Sequence, residues 1–357
     1  MGKRKKTITY KDSGVDIDAN DVMVELIKPI VRSTYGPRVF GKHGGFAGLF
    51  RLDYCEALFK RNYKEPVLVA CTDGVGSKIL LARDSGHYDT VGIDLVAMNV
   101  NDMLTLGAEP LFFLDYVAVN KLDPKRVAQI VAGIAAGCRE SDCSLIGGET
   151  AELPDIYKPD DFDLAGFAVG VVERKKIIDG SEIEAGDLII GLPSTGLHSN
   201  GYALARRLVF KEARLKYDSV VPMIGGPIGD ELLRPTRIYV MPVLDLLHNY
   251  RVKRVVRGMA HITGGGLPGN VDRVIPDGLK AVINTKSWTP PPVFRYLQSL
   301  GVRRDEMFRV FNMGIGYILI VRPAFAHSIV GRFRRRHQLD ALIIGRIEKG
   351  PTTVELV

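Results

Sequence analysis

The sequence predicts a chain of two domains, the first of the α/β class. Three observations carry this. Short apolar runs alternate with helical segments up to about Val172. Carboxylates, hydroxyls and glycines gather in the turns after those runs or on one apolar helix, and ligand sites of α/β folds favour such strand ends. Finally, residues 173–185 are charged and lack periodicity, after which strands and helices begin again. The boundary is therefore placed between residues 1–174 and 175–357. At 357 residues the chain is long enough for two cores.

Taken in order, residues 1–20 read as an arm, and Asp21 to Tyr35 as a helix interrupted by Pro29. The next fifteen residues, Gly36 to Phe50, include five glycines. Gly36 to Lys42 fits the first seven places of a P-loop, but His43 stands where Ser or Thr is required and Gly44-Gly45 would break the following helix. The segment is kept as a phosphate cradle, because glycines let backbone N–H groups converge on an anion.

Val67 to Ala70 reads as a buried strand, ending in the turn Thr72-Asp73-Gly74-Val75-Gly76-Ser77-Lys78. Residues 92–106 read as a helix closed by Gly107. That helix is apolar nearly all round, the mark of a buried helix, yet it carries Asp94, Asn99, Asn101 and Asp102. At about 100° per residue Asp94, Met98, Asn101 and Thr105 share one stripe with Asp102 beside it, so the stripe must face something. Strand Leu111 to Val119, helix Pro124 to Arg139, strand-and-turn Ser144 to Thr150 with Glu149, and strand Asp163 to Val172 complete the first half.

The second half opens with strand Asp187 to Leu192 and a polar turn holding Ser194, Thr195, His198, Ser199 and Asn200. A helix follows from Gly201 to Val209, and another opens at Pro235. Strand Val255 to Ile262 leads to Thr263-Gly264-Gly265-Gly266. Gly264, Gly266 and Gly269 satisfy G-x-G-x-x-G, but no clear βαβ unit follows, and a phosphate-binding turn at a helix N-terminus explains them with fewer demands. Strands Leu279 to Asn284 and Phe311 to Val321, helix Pro292 to Leu300, a basic helix and short strands close the chain.

The composition, 46% hydrophobic and 25% charged, is that of a globular protein. No apolar run reaches the length of a membrane span, and MGKRKKTITY is not followed by the apolar core of a signal peptide. Cys55, Cys71, Cys138 and Cys143 form no CxxC pair, so free thiols in a reducing cytoplasm are expected. The net charge of +7 owes much to Lys3 to Lys6 and to Arg332 with Arg334 to Arg336. No aromatic platform accompanies these runs, so they are read as solvated surface or as attraction for a phosphorylated small molecule, not as a nucleic-acid site. Asp73, Asp102 and Glu149, drawn from three separate segments, would repel if gathered unless cations sat between them, which suggests Mg²⁺ and a nucleotide triphosphate.

The motifs TDGVGSK (72–78), GIDLVAMNVNDMLTLGAEPLFFLDY (92–116), GGETAELPDIY (147–157), HSNGYALAR (198–206), AHITGGGLPGN (260–270) and FNMGIG (311–316) occur in one order. Together they resemble the phosphoribosylformylglycinamidine cyclo-ligase family, the aminoimidazole ribonucleotide synthetases of purine biosynthesis. The resemblance implies an α/β domain whose strands build a dimer barrel, followed by an α+β domain, in a cytoplasmic homodimer. It implies ATP-dependent ring closure of formylglycinamidine ribonucleotide. Phosphorylation of the formyl amide oxygen is followed by intramolecular nitrogen attack and release of ADP and phosphate.

By the same resemblance Gly44, Gly45, Phe46, Gly48, Asp73, Gly74 and Lys78 would bind ATP, and Asp73, Asp102 and Glu149 would hold Mg²⁺. Asp94, Asn101 and His198 would serve catalysis, while Ser199, Asn200, Thr263, Gly264, Gly265 and Gly266 would bind substrate. Ser77, Leu153, Asp155 and Tyr317 depart from the residues usual in the family, and none of them is a proposed metal ligand.

Overall fold

The computed structural model describes residues 16–40, 47–52, 55–56, 59–60, 63–250 and 253–357. Gly44, Gly45 and Phe46 lie outside the described residues. The first helix, α1 (Ile17–Arg32), is capped by the Asp16 carboxylate, which accepts the Ala19 N–H at 3.2 Å. It takes in residues read from sequence as an arm, and it runs through Pro29 without interruption. Proline removes only one donor there, and both Pro29 and Glu25, whose carbonyl loses its partner, are exposed to water.

The N-terminal sheet comprises β1 (Pro66–Gly74), β2 (Glu109–Val119), β3 (Ser144–Glu152) and β4 (Phe162–Glu173) in the order β1-β4-β2-β3. Only β2 and β3 pair in parallel, as the intervening helix α4 (Pro124–Glu140) requires. Asp123 caps α4, accepting the Lys125 N–H at 2.9 Å, with Pro124 at its first position. One face of the sheet carries α3 (Asp89–Leu104), which follows the short α2 (Ile79–Ser85), with α4 packed beside it.

Glycines set the distance between α3 and α4. A Cβ on Gly92 would lie 2.3 Å from the Ile130 carbonyl oxygen, and one on Gly133 would lie 1.8 Å from that of Asp89. The two helices therefore touch backbone to backbone. The opposite face of the sheet is open, with Leu68 57%, Tyr116 39% and Phe167 39% exposed.

The second sheet has six strands: β5 (Leu188–Pro193), β6 (Val256–His261), β7 (Leu279–Ile283), β8 (Ile315–Val321), β9 (Leu342–Lys349) and β10 (Thr353–Leu356). Their order is β6-β8-β5-β9-β7-β10, antiparallel except for β7 and β10. Every residue of β6 and β8 is buried. The helix expected over Gly201 to Val209 is a short α5 (Tyr202–Arg206) running into a π-helical turn, Arg207–Glu212.

A further helix (Val240–Asn249) begins five residues later than Pro235, because the backbone of residues 234–239 is taken up elsewhere, as shown below. No helix among the described residues is long and apolar enough to cross a membrane. In the basic helix Ala326–His337, Arg332 makes a bidentate pair with Asp245 at 2.9 and 2.8 Å, and Arg334 pairs with Asp340 at 3.0 Å.

Candidate functional site

The polar stripe on α3 faces the second domain. Asp94 forms an ion pair with Lys78 at 2.6 Å, and both side chains are 0% exposed. The Asp94 Oδ1 also accepts the Thr236 N–H at 2.7 Å and the Thr236 hydroxyl at 2.6 Å. Lys78 Nζ donates to the carbonyls of Arg234 (2.6 Å) and His198 (3.2 Å). Two turns along, Asn101 donates to the Arg237 carbonyl at 2.8 Å and accepts the Tyr239 N–H at 2.9 Å.

These partners are the backbone groups that would otherwise continue a helix back from Val240, which explains its late start. Lys78, Asp94 and Asn101, assigned to phosphates and catalysis, lie fully inside the domain junction with their polar atoms engaged by protein.

His198 is buried as well, in a left-handed conformation at φ 63°. Its Nε2 accepts the Thr195 N–H at 3.2 Å, which places the ring proton on Nδ1. Burial, then the charges of His261, Lys78 and Arg237, push His198 well below the usual histidine range, so it is neutral at pH 7. The ring is held within the turn and does not reach solvent.

The reachable chemistry lies at the end of α3. Asp102 is 48% exposed, and its Oδ1 meets His261 Nδ1 at 2.8 Å. Asp73, on β1, is exposed and accepts its neighbour Gly74 N–H at 2.7 Å. Partial burial and the Asp102 charge raise the Asp73 carboxyl above its ordinary value. A carboxyl raised by a neighbouring carboxylate belongs to a donor set that a hard cation would relieve. The same pair and burial lift the Cys71 thiol to about 12, with burial the larger cause.

Glu149 does not join them. The turn expected at Gly147-Gly148-Glu149 is strand, because β3 continues in parallel register with β2 to Glu152. Asp73 shares a cross-strand row with Gly166, Asp115 and Gly148, whereas Glu149 sits in the next row with Tyr116 and Ala165. Adjacent rows point to opposite faces, and three strand spacings separate β1 from β3 by about 14 Å. Among the described residues no three His, Cys, Asp or Glu side chains are grouped to hold a metal ion.

The C-terminal turns meet beside α3. Gly264 lies against Asn200, whose Oδ1 would be 3.6 Å from a Cβ there, and the Asn200 amide reaches Met98 Sδ at 3.9 Å. Ser199 Oγ is 3.2 Å from Thr236 Oγ1. Ser199, Asn200 and Thr263 are half-buried, and Gly264 and Gly265 are exposed. Gly265 (φ 96°) and Gly266 (φ 60°) make the turn possible, and Gly266 is also pressed on Phe308, whose carbonyl oxygen a Cβ would meet at 1.9 Å. Of the glycine segment, Gly48 is described, packed so that a Cβ would lie 2.7 Å from the Ile146 carbonyl oxygen. Gly74 ends β1 beside the Leu164 carbonyl.

Four residues not singled out from sequence hold this region. His261 orients Asp102. Asn270 donates to the carbonyls of Thr263, Gly264 and Gly266. Asn312 accepts from Ser194 Oγ and donates to the carbonyls of Gly196 and Leu197. Asp115 faces the helices, and burial raises its carboxyl to about 7. Each lies in a motif of the sequence, but a polar residue within a strand or after a glycine turn gives no local sign of its partner.

Two family models match, described as the AIR synthase related protein N-terminal domain over residues 56–172 and C-terminal domain over residues 184–357. The chain is 52% identical over 357 residues to a phosphoribosylformylglycinamidine cyclo-ligase of Geobacter sulfurreducens, covering 99% of each. It is 49% identical over 354 residues to that of Geotalea uraniireducens, covering 98% of this chain and 99% of the relative. Among solved structures, thiamine-monophosphate kinase from Stenotrophomonas maltophilia superposes with a TM-score of 0.65 at 18% identity, covering 93% of this chain and 95% of the other. The hydrogenase maturation protein HypE in complex with ATP does so with a TM-score of 0.58 at 18% identity, covering 91% and 86%. These two likenesses concern the fold, a pair of α/β-built domains around the junction just described. With half its residues identical over almost its whole length, the chain belongs to the phosphoribosylformylglycinamidine cyclo-ligase family.

Proposed function

We propose that this protein closes the imidazole ring of aminoimidazole ribonucleotide from formylglycinamidine ribonucleotide, using ATP and releasing ADP and phosphate. The observation that carries the reading is that Asp73 and Asp102 both reach solvent and lie near enough for the Asp102 charge to raise the Asp73 carboxyl, in a chain with near-full-length cyclo-ligase relatives. Chemistry of this kind needs positioning and charge neutralisation more than a nucleophile. The site is built that way, since its buried lysine and histidine are committed to structure.

In this reading Asp73 and Asp102 hold Mg²⁺, with His261 fixing the orientation of Asp102. The ion, when bound, supplies positive charge against the nucleotide phosphates. Thr263 to Gly265 with Ser199 and Asn200 take the substrate, their backbone N–H groups and hydroxyls suiting a phosphate. A cavity of about 470 Å³ near the glycine segment, lined by Tyr35, Arg38, Phe50 and Arg139 among others, offers cations and rings to the nucleotide.

The open face bearing Leu68, Tyr116 and Phe167 is proposed to be covered by a second copy, giving a homodimer. Glu149 lies on that side, next to Tyr116. The free thiols of Cys71, Cys138 and Cys143 suit a reducing cytoplasm.

The test is ADP formation by the purified protein. It should depend on both Mg²⁺ and formylglycinamidine ribonucleotide, and equal ADP release without that substrate overturns the assignment. Asp73→Asn should cripple ATP use, whereas full activity would remove Asp73 from the metal site. Light scattering on the same sample should give twice the chain mass, and a monomer at micromolar concentration rules out the dimer.

A further inference from the structure

A second cavity, of about 820 Å³, opens between the two domains at the other end of the N-terminal sheet. Its walls come from the start of β2, the end of β4 and the turn after it, the C-terminal end of helix Val240–Asn249, and the start of β6. Seven residues of strand separate Asp73 from Pro66, which pairs with the groove residue Glu173, so the cavity is about 23 Å from the carboxylate pair.

Its charge is unbalanced. Lys64, Lys175, Lys176 and Lys253 line it, and none makes an ion pair among the described residues. The acidic residues are already engaged. Glu173 accepts the N–H groups of Lys64 (2.6 Å) and Glu65 (3.2 Å), and Glu109 pairs with His248 at 3.4 Å. Arg254, also in the wall, is held by Glu182 at 2.7 Å.

The lining also includes apolar and aromatic side chains: Ile178, Leu244, Leu247 and Val255 with the rings of Tyr63 and Tyr250. Tyr250 is fixed in place, edge-on to Phe325 at 5.6 Å and with its hydroxyl 3.1 Å from Ser328 Oγ. Ammonium groups without ion-pair partners, that of Lys253 resting 5.8 Å from the Phe325 ring, beside apolar and aromatic side chains suit a ligand with phosphates at one end and a planar ring at the other. The volume falls within the range of small-molecule sites and exceeds what an inorganic phosphate fills.

We propose that this interdomain groove is a second ligand site, distinct from the reaction site, that binds a nucleoside polyphosphate through Lys64, Lys175, Lys176 and Lys253. Because both domains supply its walls, an occupant ties them together and stabilises the folded chain by mass action. The inference stands independently of the proposed reaction.

The test is calorimetric titration of the full chain with GTP and with inorganic tripolyphosphate, in EDTA so that metal-dependent binding at Asp73 and Asp102 is suppressed. GTP should bind one to one, about tenfold or more tighter than tripolyphosphate, a gap of about 1.4 kcal/mol assigned to the ring. The Lys175→Glu/Lys253→Glu variant should lose about tenfold or more for both probes while keeping substrate-dependent ADP formation. Equal affinity for the two probes, binding unchanged in the variant, or no saturable binding would each overturn the proposal. In Asp73→Asn the GTP titration should be unaltered, and its loss there would assign the binding to the reaction site instead.

Discussion

Asp94→Asn tests whether the buried ion pair holds the two domains together. In the native chain the Lys78 ammonium has Asp94 at 2.6 Å and two carbonyl oxygens, and no solvent. Removing the countercharge leaves a buried cation among neutral acceptors, a change that costs about 3–5 kcal/mol. Lys78→Met should cost a similar amount by leaving the carboxylate with only the two Thr236 donors.

In Lys78→Met/Asp94→Leu both charges are gone. The remaining cost is that of the orphaned Thr236 donors and the Arg234 and His198 carbonyls, groups that the corresponding single variants orphan as well, without the unpaired buried charge that each single adds. The double variant should therefore be less destabilised than the sum of the singles, with a coupling of at least about 2 kcal/mol.

The penalty in Asp94→Asn should also shrink as pH rises. Burial lowers the Lys78 pKa and Asp94 raises it, so the variant's folded state binds fewer protons than the unfolded chain, whose lysine titrates near about 10.4. Stability then climbs with pH until that value is passed. The assay is guanidinium unfolding followed by far-UV dichroism and by the fluorescence of Trp288, the only tryptophan, which lies in the second domain. The two probes should coincide in the native chain and separate in the variant. A loss below about 1 kcal/mol, or zero coupling in the double variant, would refute the claim that this pair joins the domains.

Two further outcomes follow from packing and burial. Gly133→Ala should destabilise the N-terminal domain by about 1–3 kcal/mol or more, because its methyl meets the Asp89 carbonyl oxygen at 1.8 Å; denaturant titration checks this, and a neutral result would mean the helices can part. Asp115→Asn should gain stability relative to the native chain as pH rises from about 4 to about 7 in metal-free buffer. The native carboxyl, raised to about 7 by burial, stays protonated when folded and ionises when unfolded, so the native chain loses stability through that window while the amide does not. Parallel pH profiles for the two proteins would show that Asp115 ionises normally.

The periodicity of α3 was enough to mark it as a buried helix whose polar stripe needed partners. It did not identify them, because Asp94 and Thr236 are 142 residues apart and meet only when the domains dock. A charged residue inside an apolar helix looks the same whether it awaits a substrate or a protein carbonyl. Glu149 shows a second limit. Two glycines before a carboxylate resemble a turn, but strand pairing with β2 carries them straight through, and the alternation of a strand then sends Glu149 away from Asp73. The late start of the helix at Val240 has the same origin as the first case, since its expected first turn gives its backbone to Asn101 and Lys78.

The contact between Gly92 and Gly133 has no side chains to rearrange. A crossing made of main chain alone has no alternative rotamers, so it yields only if a whole helix moves. Helix α3 is thus gripped on one flank by its neighbour and on the other by the second domain, and it serves as a fixed axle. Any movement about the two carboxylates would fall to the loops at its ends. An engineer seeking faster turnover should vary those loops and leave the axle alone.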